Sequence, residues 1–226
     1  MQQLTYKSVT VAMITMNEEQ AVAKVIADIQ KEVPGAEILV IDSSTDKTPS
    51  IAEAMGARVI RQYPPQGYGL AMDLALRSAQ GDCVITLDCD DTYPTEAIPL
   101  IVKALVDEGF DGVDCSRLEK KSAAMPWLNY CANFGFALLA SILFRRRVTD
   151  LHSGMRGYKK NMLTGLNYRP VGAALPVELL LLPIKKGYNI KLSFISYRPR
   201  IGESTMAPLT SSWWTLKRIL WVYFYG

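Results

Sequence analysis

Residues Val9 to Thr15 (VTVAMIT) form an apolar run with no charge and no polar alternation. A strand with one wet face alternates. A run that is apolar throughout suits a strand covered on both faces, which is the signature of a parallel sheet sandwiched between helices. The segments that follow keep that order. Glu18 to Glu32 places Ala21, Val22, Val25, Ile26 and Ile29 at helical spacing. Glu37 to Asp42 reads as a second strand, Thr48 to Met55 as a helix and Ala57 to Gln62 as a short strand. Gly67 to Gln80 reads as a helix, followed by a strand that ends at Asp88. Glu96 to Asp107 is a helix with Pro94 near its start, and Gly112 to Arg117 is another strand. This alternation predicts an α/β fold with a doubly wound, mostly parallel sheet.

In such sheets ligands sit at the carboxyl ends of the strands. Polar clusters fall at those ends: Thr15-Met16-Asn17-Glu18, Asp42 to Asp46, and Asp88-Cys89-Asp90-Asp91. In the last cluster an apolar strand runs into three carboxylates. On an extended chain Asp88 and Asp90 point to one face, with Cys89 opposite. Two anions so placed repel each other and any phosphorylated substrate. A hard divalent cation relieves both, since Mg2+ takes one or two carboxylates plus substrate phosphates. A solvated acidic turn is the competing reading. No GxGxxG and no GxxxxGK[ST] occurs, which excludes the common dinucleotide-binding and P-loop signatures.

The net charge of +3 over 226 residues is too small to argue for nucleic acid. The late basic clusters, Arg145 to Arg147, Lys185-Lys186 and Lys217-Arg218, suit an anionic surface better than a duplex. Four cysteines without a CxxC pair read as reduced and cytosolic, and a single histidine, His152, offers no zinc site. Met1 to Ser8 has no apolar core, so no signal peptide is expected. Ser122 to Phe144 carries no formal charge. A helix over Trp127 to Phe144 would measure roughly 27 Å, near the spanning limit of a bilayer. Trp213 to Tyr225 is also greasy but holds Lys217 and Arg218 in its middle, as does a helix lying among lipid headgroups. For the first helix, an in-plane or re-entrant placement competes with spanning and with burial in the core. If Asp150 to Tyr158 shares a site with Asp88, the in-plane placement fits.

These residues together resemble the family 2 glycosyltransferases of the GT-A fold, and within them the dolichyl- or polyprenyl-phosphate mannosyl and glucosyl synthases. The resemblance covers about residues 8 to 206. It rests on Thr15-Met16-Asn17-Glu18-Glu19, Val40 to Thr48, Gly67-Tyr68-Gly69, Gly81-Asp82, Asp88-Cys89-Asp90 and Asp150 to Arg156, with Ser116-Arg117 and Arg200 to Ser204. It implies one Rossmann-like GT-A domain over 1–226: a nucleotide-sugar and metal half (8–120), and an acceptor half (121–226) with amphipathic interface helices near 127–144 and 211–225. It implies that Thr15, Asn17, Glu18, Asp42, Gly67, Asp88, Cys89 and Asp90 hold a nucleotide sugar. Asp88 and Asp90 would hold Mg2+ or Mn2+ on its diphosphate. Arg117, Asn133, Ser153, Arg156 and Arg200 would face a polyprenyl or dolichyl phosphate. The chemistry would fall to Asp90, Asp150, Arg117 and Arg156. Ser43, Ser44, Thr92, Thr205, Asn129 and Asn133 depart from the usual pattern and leave donor and lipid contacts open.

A lipid phosphate is already ionised at neutral pH, so attack needs no strong general base, and orientation and electrostatics supply most of the catalysis. Asp150 is the assisting carboxylate, or else a cap or partner for an arginine. One displacement would invert an α-linked donor to a β-linked product. The implied setting is the cytoplasmic face of a membrane, peripheral or monotopic. Many members carry long spanning helices after this point, which leaves three readings: a short form, dependence on a membrane-anchoring partner subunit or homo-oligomer, or a chain cut short. Two other functions stay open: a family 2 glycosyltransferase with a soluble or glycan acceptor, and a non-catalytic membrane-associated nucleotide-sugar-binding protein.

Overall fold

The computed structural model describes residues 8–202 and 208–226, the side chains of 208–211 excepted. Strands β1 (Val9–Thr15), β2 (Glu37–Asp42), β3 (Arg58–Arg61), β4 (Cys83–Thr86), β5 (Gly112–Ser116), β6 (Arg156–Lys159) and β7 (Ile190–Phe194) form one sheet in the order β3-β2-β1-β4-β6-β5-β7. All pairings are parallel except those of β6, which runs antiparallel to both β4 and β5. The GT-A expectation of a mostly parallel sheet holds.

The apolar run of β1 is buried because helices cover both faces. Val9, Val11 and Met13 pack toward α1 (Val22–Glu32), α2 (Thr48–Ala54) and α4 (Ile98–Val106), whose start is a 3-10 turn over Thr95–Ala97. Ala12 points the other way, toward α3 (Tyr68–Ser78), α6 (Lys160–Thr164) and α7 (Leu175–Lys185). The α1 stripe of Val22, Val25, Ile26 and Ile29 is fully buried, as its spacing predicts.

Helices α5 (Trp127–Phe144) and α8 (Pro208–Tyr225) close the second face. α5 coincides with the expected greasy helix, and α8 begins a few residues earlier than expected. Burial in the core is the reading that fails for α5: only Ala137 and Ala140 are buried, while Trp127, Leu128, Phe134, Leu138 and Ile142 are exposed. By length and composition α5 could cross a membrane. Its two ends nevertheless return to the same domain. Before it, Ser122 Oγ donates to the Tyr197 carbonyl at 2.7 Å; after it, Asp150 Oδ2 accepts from Arg117 Nε at 2.7 Å.

Candidate active site

The carboxyl ends of β1, β2 and β4 bring the three polar clusters together. Register pairs Thr15 with Asp42 directly. Asp42 is fully buried, and its carboxylate is bonded to Thr15 Oγ1 and Ser44 Oγ, each at 2.7 Å, and to Arg61. Asp42 and Thr15, both expected to hold a nucleotide sugar, bond each other and stitch β1 to the loop after β2. The exposed member is Asn17, at φ 61°, whose Oδ1 accepts from Thr45 N–H at 2.9 Å. Gly67, at φ 90°, opens α3 on the exposed rim, a conformation in which a side chain would be strained.

The chain leaves β4 and turns at Asp88 to Asp91. Cys89 packs in the core, opposite its two acidic neighbours as alternation requires, and burial pushes its thiol well up. Thr92 donates its N–H and Oγ1 to Asp90 Oδ1 at 3.1 and 2.6 Å, which leaves Oδ2 for a cation. That cation is Arg200, at 3.3 Å from Asp90 Oδ2 and 2.6 Å from Glu18 Oε1. Arg200, expected to face the lipid phosphate, thus lies beside the carboxylates of Glu18 and Asp90. The strap that carries it is anchored by Arg198 N–H to the Thr92 carbonyl and Ile201 N–H to the Asp90 carbonyl, both at 3.0 Å. Glu203, Ser204 and Thr205 of the sequence reading lie outside the described residues.

Burial, reinforced by Asp90, raises the Asp88 carboxyl to about 6. Burial also raises Glu18 to about 7; Arg200 opposes this and the two aspartates add to it. These donors fit a hard divalent ion: two adjacent carboxylates short of counter-charge, with a guanidinium lodged between one of them and Glu18. No cluster of three His, Cys, Asp or Glu closes round a point among the described residues, so Asp88 and Asp90 would supply only part of an ion's ligands. An ion there would take its remaining ligands from phosphate and water. Because protons compete for the same oxygens, Mn2+ affinity measured by calorimetry should rise as pH passes from about 6 to about 7, with proton release. In the metal-free protein both folded pKa values lie above the unfolded ones. The stability these groups contribute is therefore complete at low pH and lost as pH rises through about 6 and about 7.

Gly154 shows why a glycine is needed in Asp150-Leu151-His152-Ser153-Gly154. A Cβ there would lie 2.8 Å from Asp88 Oδ2. The backbone is fixed by Tyr93 Oη, which accepts from Gly154 N–H at 2.7 Å, and by Thr86 Oγ1, which donates to the Gly154 carbonyl at 2.8 Å. Gly154→Ala should therefore displace the Asp88 carboxylate. We expect Mn2+ affinity to fall about tenfold or more while the melting temperature changes little; unchanged affinity would show that Asp88 is not a ligand.

Arg117, at the end of β5, makes a two-pronged pair with Asp150: Nε to Oδ2 at 2.7 Å and Nη2 to Oδ1 at 3.0 Å. Its guanidinium also lies 5.1 Å from the Tyr197 ring centroid. Burial alone would raise the Asp150 carboxyl, but Arg117 and two backbone N–H donors hold it below the usual range. Asp150 is thus the arginine's partner, the second of the two readings its position in the sequence allowed. Arg156, expected at the acceptor phosphate, is 1 % exposed and donates to Asp114 Oδ1 at 2.8 Å and to the carbonyls of Pro176, Asp150 and Leu151, bonds that brace the interior. Ser153, also expected at the phosphate, is buried as well, its Oγ 3.3 Å from the Met155 carbonyl. Asn133 lies half-buried on α5.

Sequence reasoning missed Arg61, Asp114, Tyr93 and Tyr197. Asp114 carried a signal: one acid inside an apolar strand requires a buried partner. Arg61, Tyr93 and Tyr197 carried none, being ordinary polar or aromatic residues far along the chain from what they touch.

Similarity to known proteins agrees with this geometry. The sequence pattern of glycosyl transferase family 2 matches residues 10–166. A dolichyl-phosphate hexose transferase of Haloferax volcanii is 43 % identical over 209 residues, 92 % of this chain and 90 % of that one. A dolichol-phosphate mannosyltransferase of Pyrococcus furiosus is 27 % identical over 184 residues, 76 % of this chain and 52 % of that one. Glucosyl-3-phosphoglycerate synthase of Mycobacterium tuberculosis, solved with Mn2+, uridine diphosphate and its product, shares the fold at a TM-score of 0.75 with 24 % identity, covering 95 % of this chain and 79 % of that one. With a sheet of this order, a carboxylate pair at its carboxyl edge and a pattern match over most of its length, the chain belongs to glycosyl transferase family 2.

Proposed function

We propose that the protein transfers a hexose from a nucleotide sugar, of the GDP-mannose or UDP-glucose type, to a polyprenyl or dolichyl phosphate at the cytoplasmic face of a membrane. The observation that carries this reading is the pairing of Asp150 with Arg117. The carboxylate beside the acceptor side of the site is spent on an arginine, which suits a nucleophile that arrives ionised. A phosphate oxygen attacks the anomeric carbon, the bond to the nucleoside diphosphate breaks, and its electron pair leaves on the diphosphate with inversion. Arg117 faces the incoming phosphate, and Asp150 and Tyr197 hold its plane. Asp88 and Asp90 would hold a Mg2+ or Mn2+ ion, which when bound would supply charge stabilisation to the departing diphosphate. Asn17, Glu18 and Gly67 line the donor side.

The apolar faces of α5 and α8 support a membrane setting. Trp213, Trp214, Tyr223, Phe224 and Tyr225 are exposed on α8, beside the exposed face of α5. The name of the Haloferax volcanii relative supports the same acceptor class. Labelled nucleotide sugar incubated with polyprenyl phosphate and Mn2+ should move label into the organic phase. Failure with every GDP- and UDP-hexose tried, or transfer to a soluble phosphorylated acceptor alone, would overturn the proposal.

A further inference from the structure

A cavity of about 380 Å3 lies between α8 and the segment leading into α7, and it shares no residue with the transfer site. Arg169 and Val171 form one wall, and Trp214, Lys217, Arg218 and Trp221 form the other. A buried ion pair builds it. Glu178 is fully buried and bonded through Oε1 to Arg218. Glu178 Oε2 accepts from the Arg169 N–H at 2.7 Å, and Arg218 Nη2 donates to the Val171 carbonyl at 2.8 Å. The pair therefore cancels its own charge and fixes the Arg169 to Val171 backbone against α8.

Two further cations are left over. The Arg169 guanidinium sits 3.5 Å from the Trp221 ring centroid and only 3.9 Å from Glu178, with half of its side chain exposed. The Lys217 ammonium is held against indoles, 4.8 Å from the Trp213 centroid and 5.6 Å from that of Trp214. Stacking keeps a guanidinium in one plane, with donors free at its edge. A preset arginine fork, an ammonium and an excess of positive charge between indole walls suit one phosphate oxyanion. A free phosphate has no use for the apolar surroundings: Leu220, Tyr223 and Phe224 are exposed on the same helix. A lipid head group, with acyl chains lying along that face, uses both.

We propose that this cavity binds the phosphate head group of an anionic bilayer lipid and sets how α8 sits on the membrane. The inference rests on the membrane-surface reading above. The test is flotation of the full chain with vesicles of phosphatidylcholine alone or mixed with phosphatidic acid. The variant Arg169→Gln/Lys217→Gln should lose about thirtyfold in affinity for the mixed vesicles, which is about 1 kcal/mol per cation at tenfold per 1.4 kcal/mol. It should keep its affinity for the neutral ones, which also reports an intact fold. Arg145→Gln/Arg146→Gln, exposed cations outside the cavity, should lose much less. Equal losses in the two variants, or none in the first, would overturn the site while leaving membrane binding intact. Inorganic phosphate, followed by tryptophan fluorescence, should compete only weakly; competition as strong as that of the vesicles would make the ligand a free oxyanion and overturn the lipid assignment. A wild-type chain that floats with neither vesicle would remove the membrane reading and this inference together.

Discussion

Asp88→Asn is expected to lower transfer by about a thousandfold or more, while the metal-free protein becomes no less stable. The two effects have opposite signs for one physical reason. Burial and Asp90 both act against the charged form of Asp88, which raises its carboxyl to about 6. A neutral amide of the same shape removes that repulsion. It also removes one of the two carboxylates that would hold a cation on the departing diphosphate, whose charge stabilisation is worth several kcal/mol. Initial rates at saturating Mn2+ and calorimetric Mn2+ affinity measure the loss, and a thermal melt in chelator measures the stability. Activity within tenfold of wild type would mean that the carboxylate pair at the end of β4 does not hold the metal.

Arg156→Leu is expected to destabilise the fold by about 3–5 kcal/mol, because it leaves the Asp114 carboxyl buried without a partner. For a chain of this size that corresponds to a fall in melting temperature of roughly ten degrees or more. The double variant Asp114→Leu/Arg156→Leu removes both charges and should recover most of the loss. If Arg156 met the acceptor instead, the single variant would keep its melting temperature and lose only activity, and the second substitution would rescue nothing. The pair lies between β5 and β6, so its loss should also loosen Asp150 and Leu151, whose carbonyls accept from Arg156 Nη2.

Strand β6 shows how far periodicity reaches. Arg156-Gly157-Tyr158-Lys159 has neither an apolar run nor clean alternation, yet it lies between β4 and β5 in the middle of the sheet. Its polar ends are tolerated because Arg156 has Asp114 and the Lys159 backbone N–H reaches the Asp111 carbonyl. Helix α7 escaped detection for the opposite reason. Nine of its eleven residues are buried, so it shows no polar face to mark its period, and Pro183 stands inside it. β7 is half-buried along its whole length and equally featureless in sequence.

The parallel frame and the clustering of Asn17, Asp42 and Asp88 at one edge could be read from the chain, because burial on two faces and strand polarity are written in neighbouring residues. So could the unusual apolar length of α5. The partner of each charge could not. Glu18 meets Arg200 across 182 positions, and Arg117 meets Asp150 across 33. An arginine's role depends on which carboxylate lies within hydrogen-bond reach, a distance that exists only once the chain has closed on itself.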